Sequence, residues 1–229
     1  MASRRSRPRI WDTDWLILRQ LAAGLQRALA TQVPAGSTIV DLGCGDMPYR
    51  DTVEAMGYRY RGADIVPGND LLIGPDGRVD LADHAVDAVL SVQVLEHVPD
   101  LPAYLAEARR LMSDEGVLIL STHGTWLYHP HPEDHWRWTR TGLEKTLTQN
   151  GFRVEAMTGL VGPLATTTMI RLTGFSWVLR RLPVVGPVLA GMLAAIMNAR
   201  AWAEDRITPE QLRETNACVY LVHARKARA

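Results

Sequence analysis

The stretch Val40-Asp41-Leu42-Gly43-Cys44-Gly45 decides the fold of this chain. The apolar run Thr38-Ile39-Val40 predicts a short buried strand that ends at Asp41. Two glycines then turn the backbone before a helix-like segment, and glycine permits conformations and close approaches that a Cβ would forbid. Because a carboxylate suits an amine or a cation better than a phosphate, the stretch indicates a loop that holds an amine-bearing cofactor.

A dinucleotide-binding loop is the main alternative for this stretch. That loop requires a third glycine at the start of the helix, where a pyrophosphate sits on free N–H groups. Pro48 occupies the corresponding position here, and Asp46 would place negative charge beside a pyrophosphate. Two glycines alone are also typical of an ordinary tight turn, so the interpretation depends on the rest of the chain.

Three further blocks have the pattern of buried strands. The block Tyr58–Ala63 ends at Asp64, which lies 19 residues after Gly45 and therefore at a plausible βαβ distance. An acid at the end of the second strand of such a sheet can accept hydrogen bonds from ribose hydroxyls. Residues 87–92 and 116–121 are the other two apolar blocks, and together the blocks predict an α/β sheet.

Taken together, five segments resemble class I S-adenosylmethionine-dependent methyltransferases of the small-molecule type. Their order and spacing carry the resemblance: Asp41–Gly45, Asp64, Asp83–Asp87, Val94–Val98 and Gly116–Leu120. The resemblance implies a Rossmann-like α/β fold, in which a seven-stranded sheet has helices on both faces and an antiparallel last strand. In this chain a helical insertion would precede that strand.

The resemblance also implies where S-adenosylmethionine would bind. Gly43 and Gly45 would flank its methionine part, Asp41 would organise the loop, and Asp64 would hold the ribose. The acid expected near the adenine aligns with Asp76, although Pro75-Asp76-Gly77 is equally typical of a β-turn. The full set predicted to bind the cofactor is Asp41, Gly43, Cys44, Gly45, Asp64, Asp76 and Gln93.

Composition limits the class of protein. A chain of 229 residues, 47% of them apolar and 22% charged, suits one α/β domain with a substantial core. Its net charge of zero predicts no nucleic-acid partner, and two cysteines supply no disulfide framework. The four arginines of Met1–Arg9 lack a following apolar core, which favours a flexible basic arm and a cytoplasmic protein over a secretory signal. We therefore expect an N-terminal arm and helix over 1–35 and a methyltransferase domain over 36–229.

The segment Ser121–Thr139 is the predicted acceptor site. It contains four histidines and three tryptophans in 19 residues, and it follows a strand end, where open α/β sheets place ligand-binding loops. Asp134–Thr139 also resembles a segment of small-molecule methyltransferases from glycan and natural-product pathways. The residues predicted to bind a small-molecule acceptor are Trp126, Tyr128, His129, His131, Asp134 and Arg137.

Three interpretations of this segment remain open. In the first, a histidine accepts the proton of an acceptor hydroxyl, with His123 preferred and His135 second. In the second, His129, His131, Asp134 and His135 bind a metal, but the prolines hold an extended backbone and no conventional zinc spacing occurs, so we predict no metal. In the third, Asp134 pairs with Arg137 while Trp136 and Trp138 pack in the core.

Later segments predict helices. Thr141 and Glu144 have the spacing of a capping box that starts a helix ending near Gln149, before Asn150-Gly151. Residues 163–207 include an uncharged run of 18 residues, Leu182–Ala199, that is broken by prolines and glycines. Those breaks favour a lid-like pair of helices over the acceptor pocket, or a homodimer surface. A peripheral membrane contact through 175–203 is the second alternative, and a membrane span the third.

The sequence thus predicts an S-adenosylmethionine-dependent methyltransferase. We expect direct in-line transfer to a hydroxyl of a small-molecule or glycan-type acceptor. The alternatives are transfer to nitrogen or carbon of a hydrophobic or lipid-linked acceptor, and an accessory protein that binds the cofactor without turnover.

Overall fold

The computed structural model describes residues 4–227, and its centre is one seven-stranded sheet. The strand order is β3-β2-β1-β4-β5-β7-β6. The strands are β1 (Thr38–Leu42), β2 (Arg59–Asp64), β3 (Leu71–Leu72), β4 (Val86–Val92), β5 (Met112–His123), β6 (Phe152–Leu160) and β7 (Val219–Lys226). The predicted sheet is confirmed.

Seven α-helices and one 3₁₀ turn surround this sheet in the described part of the chain. The helices are α1 (Trp15–Gln32), α2 (Arg50–Ala55), α3 (Leu101–Leu111), α4 (Arg140–Gln149), α5 (Pro163–Leu179), α6 (Gly186–Ile207) and α7 (Glu210–Thr215). The 3₁₀ turn, Leu95–His97, follows β4.

Strand β1 is buried on both of its faces. Alternate side chains of a strand point to opposite sides, and Ile39 joins the apolar cluster on one side while Val40 joins the cluster on the other. Val40 lies opposite Arg61 of β2 and Val89 of β4 in parallel register. The carboxyl ends of these strands therefore meet at one edge of the sheet, which places Asp41, Asp64 and Gln93 near each other.

Strand β7, the last in sequence, lies between β5 and β6 in the sheet. Strand β7 is antiparallel to both β5 and β6, with Leu120 of β5 opposite Val222. Since β6 is consequently parallel to β5, its end at Leu160 lies at the same edge of the sheet as the end of β1. Helix α5 begins there, so the helical insertion starts at the carboxyl edge of the parallel strands.

Helix α4 begins two residues before the predicted start. Its N-cap is Thr139, whose Oγ1 accepts a hydrogen bond from the backbone N–H of Gly142 at 3.1 Å. The prediction of a capping box at Thr141 was wrong, because Thr139 already supplies the acceptor that the first helical N–H groups require. The predicted end is correct, with Gly151 in a left-handed conformation (φ 79°) after the helix.

The insertion forms the predicted pair of helices, α5 and α6, which pack along each other. Asp205 of α6 accepts hydrogen bonds from the backbone N–H of Gly162 (2.7 Å) and from Gln20 of α1 (2.6 Å). Among residues 4–227, no helix combines the length and apolar character that crossing a membrane requires.

The described part of the N-terminal arm is mostly exposed, and its flexibility stays a prediction. Arg4 forms ion pairs with Asp12 and Asp14 at the start of α1, and Arg5 lines the cavity described below. Residues 1–3, on which that prediction also falls, lie outside the described residues.

Candidate active site

A cavity of about 1040 Å³ lies at the carboxyl edge of the sheet. Its walls come from the loop after β1, the end of β2, the turn at 74–77, the turn after β4 and the segment 130–132. Six of the predicted residues line it: Gly43, Gly45, Asp64, Asp76, Gln93 and His131. The fold therefore gathers residues from the whole predicted cofactor region around one space.

Both glycines of the first loop have backbone conformations that favour glycine. Gly43 has φ 84°, and a Cβ at this position would lie 2.6 Å from Cγ1 of Val94. Gly45 has φ 55°, and a Cβ there would meet no protein atom within 4 Å. A side chain at 43 would collide with the protein, whereas one at 45 would occupy free space in the cavity wall.

Asp64 fixes the loop and also faces the cavity. Its Oδ2 accepts the N–H of Gly45 at 2.8 Å, and its Oδ1 accepts the N–H of Val66 at 3.0 Å. Each carboxylate oxygen has a second lone pair, so the side chain can still accept hydrogen bonds from ribose hydroxyls.

Asp41 lies beneath the loop, not among the residues that line the cavity. Its side chain is buried, and Oδ2 accepts a hydrogen bond of 2.6 Å from the Tyr60 hydroxyl. Burial raises the pKa of Asp41 to about 6, although the bond from Tyr60 acts in the opposite direction. The position suits the predicted role of organising the loop.

Cys44 also points away from the cavity. Its Sγ lies in the core against Gly62, where a Cβ would be only 2.8 Å from the sulfur. Burial raises the pKa of the Cys44 thiol to about 12, so the thiol stays protonated near neutral pH. Any contact of this residue with a cofactor would therefore come from its backbone.

The other two predicted cofactor residues face the cavity. Gln93 has a left-handed conformation (φ 58°), and its Nε2 donates to Ser121 Oγ at 3.2 Å. Asp76 sits in a tight turn in which its Oδ1 accepts from the N–H of Arg78 at 3.1 Å. Asp76 therefore belongs both to a tight turn and to the cavity wall. The β-turn interpretation and the cofactor-binding prediction are compatible.

The residues present fit S-adenosylmethionine. The cavity volume is at the upper end of the range of small-molecule sites. Asp64 and Asp76 offer acceptors for hydroxyl and amino groups, and Gly45 leaves the space that a close-lying ligand needs. Asp46 and Asp100 add negative charge to the wall, which suits a cationic ligand better than a pyrophosphate.

A buried carboxylate–imidazole pair lies beside this cavity. Glu96 Oε1 is 2.7 Å from His123 Nδ1, and Thr122 Oγ1 donates to Glu96 Oε2 at 2.7 Å. Desolvation opposes the ionisation of Glu96, but its hydrogen bonds with His123 and Thr122 outweigh it, and the pKa of Glu96 is lowered. Glu96 therefore orients His123, the histidine preferred as base.

A cluster of imidazole rings connects this pair to the cavity. The ring of His129 lies 4.7 Å from that of His123 and 5.0 Å from that of His97, centroid to centroid. His97 and His131 line the cavity and are 6.1 Å apart. Burial is the main cause that lowers the pKa of His129 to about 4, so this ring is neutral near pH 7.

Asp134 and Arg137 hold the acceptor loop together. Two guanidinium nitrogens of Arg137 lie 2.6 and 2.7 Å from the two carboxylate oxygens of Asp134, and the hydrogen bond from Arg137 lowers the pKa of Asp134. Arg137 also donates to the carbonyl of Leu127 (2.6 Å), while Asp134 accepts from the N–H of His129 (2.9 Å). The predicted pairing is present, and neither side chain lines the cavity.

The remaining predicted residues lie at different distances from the cavity wall. The Trp126 ring stacks on His123 with centroids 6.1 Å apart. Tyr128 is 74% exposed and is not among the cavity residues. His135, the second candidate base, has its Nε2 3.0 Å from Glu133 Oε2, so it faces a surface carboxylate and not the His123 pair.

The structure brings together a group that could hold a metal ion, and it differs from the group considered from sequence. Ligand atoms of Glu96, His123 and His129 lie within 4.8 Å of one another. In the earlier set, by contrast, Asp134 is already bound on both oxygens by Arg137. The absence of a metal therefore stays a prediction, which chelation can test.

Comparison with known proteins identifies the family. The family described as "Methyltransferase domain" matches residues 14–156, more than half of the chain. The chain belongs to this family. The match and the fold together confirm the class I methyltransferase predicted from the sequence motifs, with S-adenosylmethionine as its cofactor.

Curated relatives and solved structures agree with this membership. The ubiquinone biosynthesis O-methyltransferase of Cereibacter sphaeroides (strain ATCC 17029) is 30% identical over 122 residues, which are 46% of this methyltransferase and 49% of the relative. The chain thus spans about half the length of the curated relatives it matches.

Two solved structures show the same fold. An S-adenosylmethionine-dependent methyltransferase from Mesorhizobium loti has a TM-score of 0.55 and 17% identity, covering 94% of this chain and 98% of the other. The 1,6-didemethyltoxoflavin-N1-methyltransferase of Burkholderia thailandensis, solved with that substrate and S-adenosylhomocysteine, has a TM-score of 0.56 and 15% identity, covering 92% and 78%.

Sequence reasoning missed the partner of His123 and the exposure of His97 to the cavity. Both Glu96 and His97 lie in the motif Val94–Val98, and the motif by itself indicates neither contact. One signal was available, because Glu96 is a carboxylate inside the apolar run Val94–Val98. A buried carboxylate requires a partner.

Proposed function

We propose that this methyltransferase transfers a methyl group to a hydroxyl of a small-molecule or glycan-type acceptor. The observation that carries the proposal is the Glu96–His123 pair beside the cavity. Neutral His129 lies between this pair and the lining rings of His97 and His131. An oxygen acceptor requires removal of its proton, and an oriented histidine is suited to that task. The partial relatives named as O-methyltransferases support the same acceptor atom.

The proposed step balances in atoms and charge. S-adenosylmethionine supplies an electrophilic methyl group when bound. In the transfer, the acceptor oxygen would form the new bond to that methyl carbon as the carbon–sulfur bond breaks, and the electron pair of the broken bond would stay on sulfur. The acceptor proton passes to the imidazole cluster and ends on His123, where ionised Glu96 stabilises the imidazolium that forms. Positioning of the two reactants contributes most, up to roughly 7–11 kcal/mol.

The acceptor atom can be tested directly. The protein is incubated with isotopically methyl-labelled S-adenosylmethionine and fractionated cell extract, and mass spectrometry locates the labelled product. A label on oxygen supports the proposal. A label on nitrogen or carbon, or no label in any fraction, would contradict it; the last result would favour an accessory protein.

The roles of the pair can then be separated by kinetics. We expect His123→Gln to lower kcat about 10²-fold or more, because the proton acceptor is lost, while the KM for S-adenosylmethionine stays unchanged. Glu96→Gln should lower kcat with the same KM, and Glu96→Asp should recover part of it. His135→Gln is the matched control and should retain wild-type kcat. A loss in His135→Gln with none in His123→Gln would reverse the assignment.

Chelation distinguishes a proton acceptor from a metal ligand. We expect prolonged dialysis against EDTA to leave kcat unchanged. Loss of activity that Mn²⁺ or Zn²⁺ restores would instead assign Glu96, His123 and His129 to a metal.

The residues that line the cavity also bear on the predictions of a lid and of a homodimer surface. The residues that line the cavity include none from 163–207 in the described chain. A lid would therefore have to close on binding of the acceptor, and a dimer would have to use the outer face of α5 and α6.

A further inference from the structure

The end of the α5–α6 pair exposes a large apolar surface. We call residues 175–192 the hairpin tip. Val184 between the two helices is 91% exposed, and Val188 is 64% exposed. Monomeric soluble proteins rarely leave contiguous apolar surface of this kind uncovered. The large exposed side chains of the tip are Phe175, Trp177, Val178, Leu182, Val184, Val185, Val188, Leu189 and Met192.

The tip lies beyond the sheet, on the side of the carboxyl edge at which the cavity lies. Along α6, Asp205 contacts Gln20 of α1, and Asn198 Nδ2 donates to the carbonyls of Ile10 and Asp12, each at 2.7 Å. Asp205, near the end of α6, thus contacts a residue within α1, whereas Asn198, one step closer to the tip, contacts residues that precede α1. The tip is farther along the same line, and exposed Trp11 extends its apolar surface.

The stretch of sequence that forms the tip carries charge of one sign. Between Glu155 and Glu204 the chain has no acidic residue and four arginines, at 171, 180, 181 and 200. The Arg181 guanidinium lies 3.7 Å above the Trp177 ring. Arg180 has no carboxylate within ion-pair distance among residues 4–227. An apolar tip with arginines at its base is complementary to a layer in which anionic groups cover hydrocarbon, as in a lipid bilayer.

A second copy of the chain fits this surface less well. A two-fold interface places the same patch on both subunits, so Arg180 and Arg181 would approach their own copies without an acidic residue to pair with. Like charges brought together at an interface oppose association. The charge pattern therefore favours an anionic partner.

We propose that the hairpin tip docks onto a membrane whose lipids have anionic headgroups. Trp177 and Arg181 lie at headgroup level, and Val184, Val185 and Val188 enter the acyl boundary. Val184 has a left-handed backbone (φ 63°), which is costly for a β-branched residue. An apolar side chain presented there at such a cost agrees with insertion. This inference does not depend on which acceptor atom is methylated.

Vesicle co-sedimentation tests the proposal with the full chain. We expect the protein to bind vesicles of phosphatidylcholine with phosphatidylglycerol, and to bind vesicles of phosphatidylcholine alone at least tenfold more weakly. V184D/V188D should weaken binding to the anionic vesicles at least tenfold. R180Q/R181Q should remove the preference for anionic vesicles and its salt dependence.

A matched variant on the same helix controls for added charge. Ile207 is 74% exposed at the opposite end of α6, so Ile207→Asp should bind anionic vesicles as the wild type does. Failure of the wild type to bind anionic vesicles overturns the proposal, as does equal loss in Ile207→Asp and V184D/V188D. A wild-type mass in solution of twice 25.4 kDa that V184D/V188D halves would assign the tip to a second copy instead.

Discussion

At the scale of single residues, Asp41 shows how a site can be built at a cost to the fold. Burial raises its pKa from 3.8 to about 6. Between these two values the folded protein holds a proton that the unfolded chain releases. The contribution of Asp41 to folding stability therefore falls as the pH rises through this window, and above it the buried carboxylate is destabilising.

Replacing Asp41 by Asn should stabilise the protein without ligand at neutral pH. We expect Asp41→Asn to raise the free energy of unfolding at pH 7.5 by about 2 kcal/mol, because the desolvated charge is removed. The gain should shrink between pH 6 and pH 4, where the wild-type carboxyl becomes protonated. Urea unfolding across this range measures both effects.

The exposed Asp46 of the same loop provides the control. Asp46→Asn should leave the stability of the protein near the wild-type value at each pH. A loss of stability in Asp41→Asn at pH 7.5 would show that the ionised carboxylate stabilises this loop, contrary to the argument from burial.

At the scale of elements, the acceptor loop depends on one guanidinium. Arg137 binds both oxygens of Asp134 and the carbonyl of Leu127, so the two ends of the segment 127–137 are joined through its planar group. A lysine keeps the charge but cannot reproduce this forked geometry. The loop also contains His129 and His131, so its order determines where these rings lie.

We therefore expect Arg137→Lys to loosen the loop. The variant should lose about 1–3 kcal/mol of stability and should be cleaved faster by protease within 127–137. Arg153→Lys is a suitable control, because Arg153 pairs with Glu155 while 62% exposed, and it should behave as the wild type. Unchanged cleavage in Arg137→Lys would show that other contacts order the loop.

The elements that the sequence predicts well are those with local signals. Thr38, Ile39 and Val40 are all β-branched, which favours a strand, and Gly151 follows the end of α4. Neither signal requires knowledge of distant residues. The start of α4 was misplaced because Thr139 and Thr141 both have capping side chains, and only the path of the preceding loop decides between them. The edge strand Leu71–Leu72 is too short to have a pattern of its own.

The site was predictable to a similar degree. The positions of Gly43, Gly45 and Asp64 follow from strand ends and glycine turns. The contact of Glu96 with His123 joins residues 27 positions apart in sequence, and nothing in the spacing indicates it. The direction in which His135 points depends on the packing of a whole loop. The sequence could therefore identify this histidine as a candidate base but could not show which way its ring faces.

At the scale of the whole molecule, cofactor binding should stabilise the fold. A ligand that binds only the folded state stabilises it by about 2.7 kcal/mol at a concentration one hundred times its Kd. We expect S-adenosylhomocysteine to raise Tm accordingly and NAD to leave it unchanged. Gly45→Asn should reduce this shift, because Asn tolerates the left-handed backbone while its side chain enters space next to the cavity.

Differential scanning fluorimetry measures these shifts, and Gly57→Asn serves as the control. Gly57 is also left-handed and has no protein atom near its Cβ position, but it is not among the residues that line the cavity and should leave the shift unchanged. Stabilisation by NAD and not by S-adenosylhomocysteine would contradict the cofactor assignment.

The position of strand β7 has a consequence for how the protein is made. The strand is synthesised after β6 and α5–α7, yet it lies between β5 and β6 and is the neighbour with which β6 pairs. Until residues 219–226 leave the ribosome, β6 has no strand to join, and the edge of β5 stays open. Nascent chains of this enzyme therefore carry two unpaired strand edges while the residues between β6 and β7 are synthesised, a state in which chaperones and neighbouring chains compete for them.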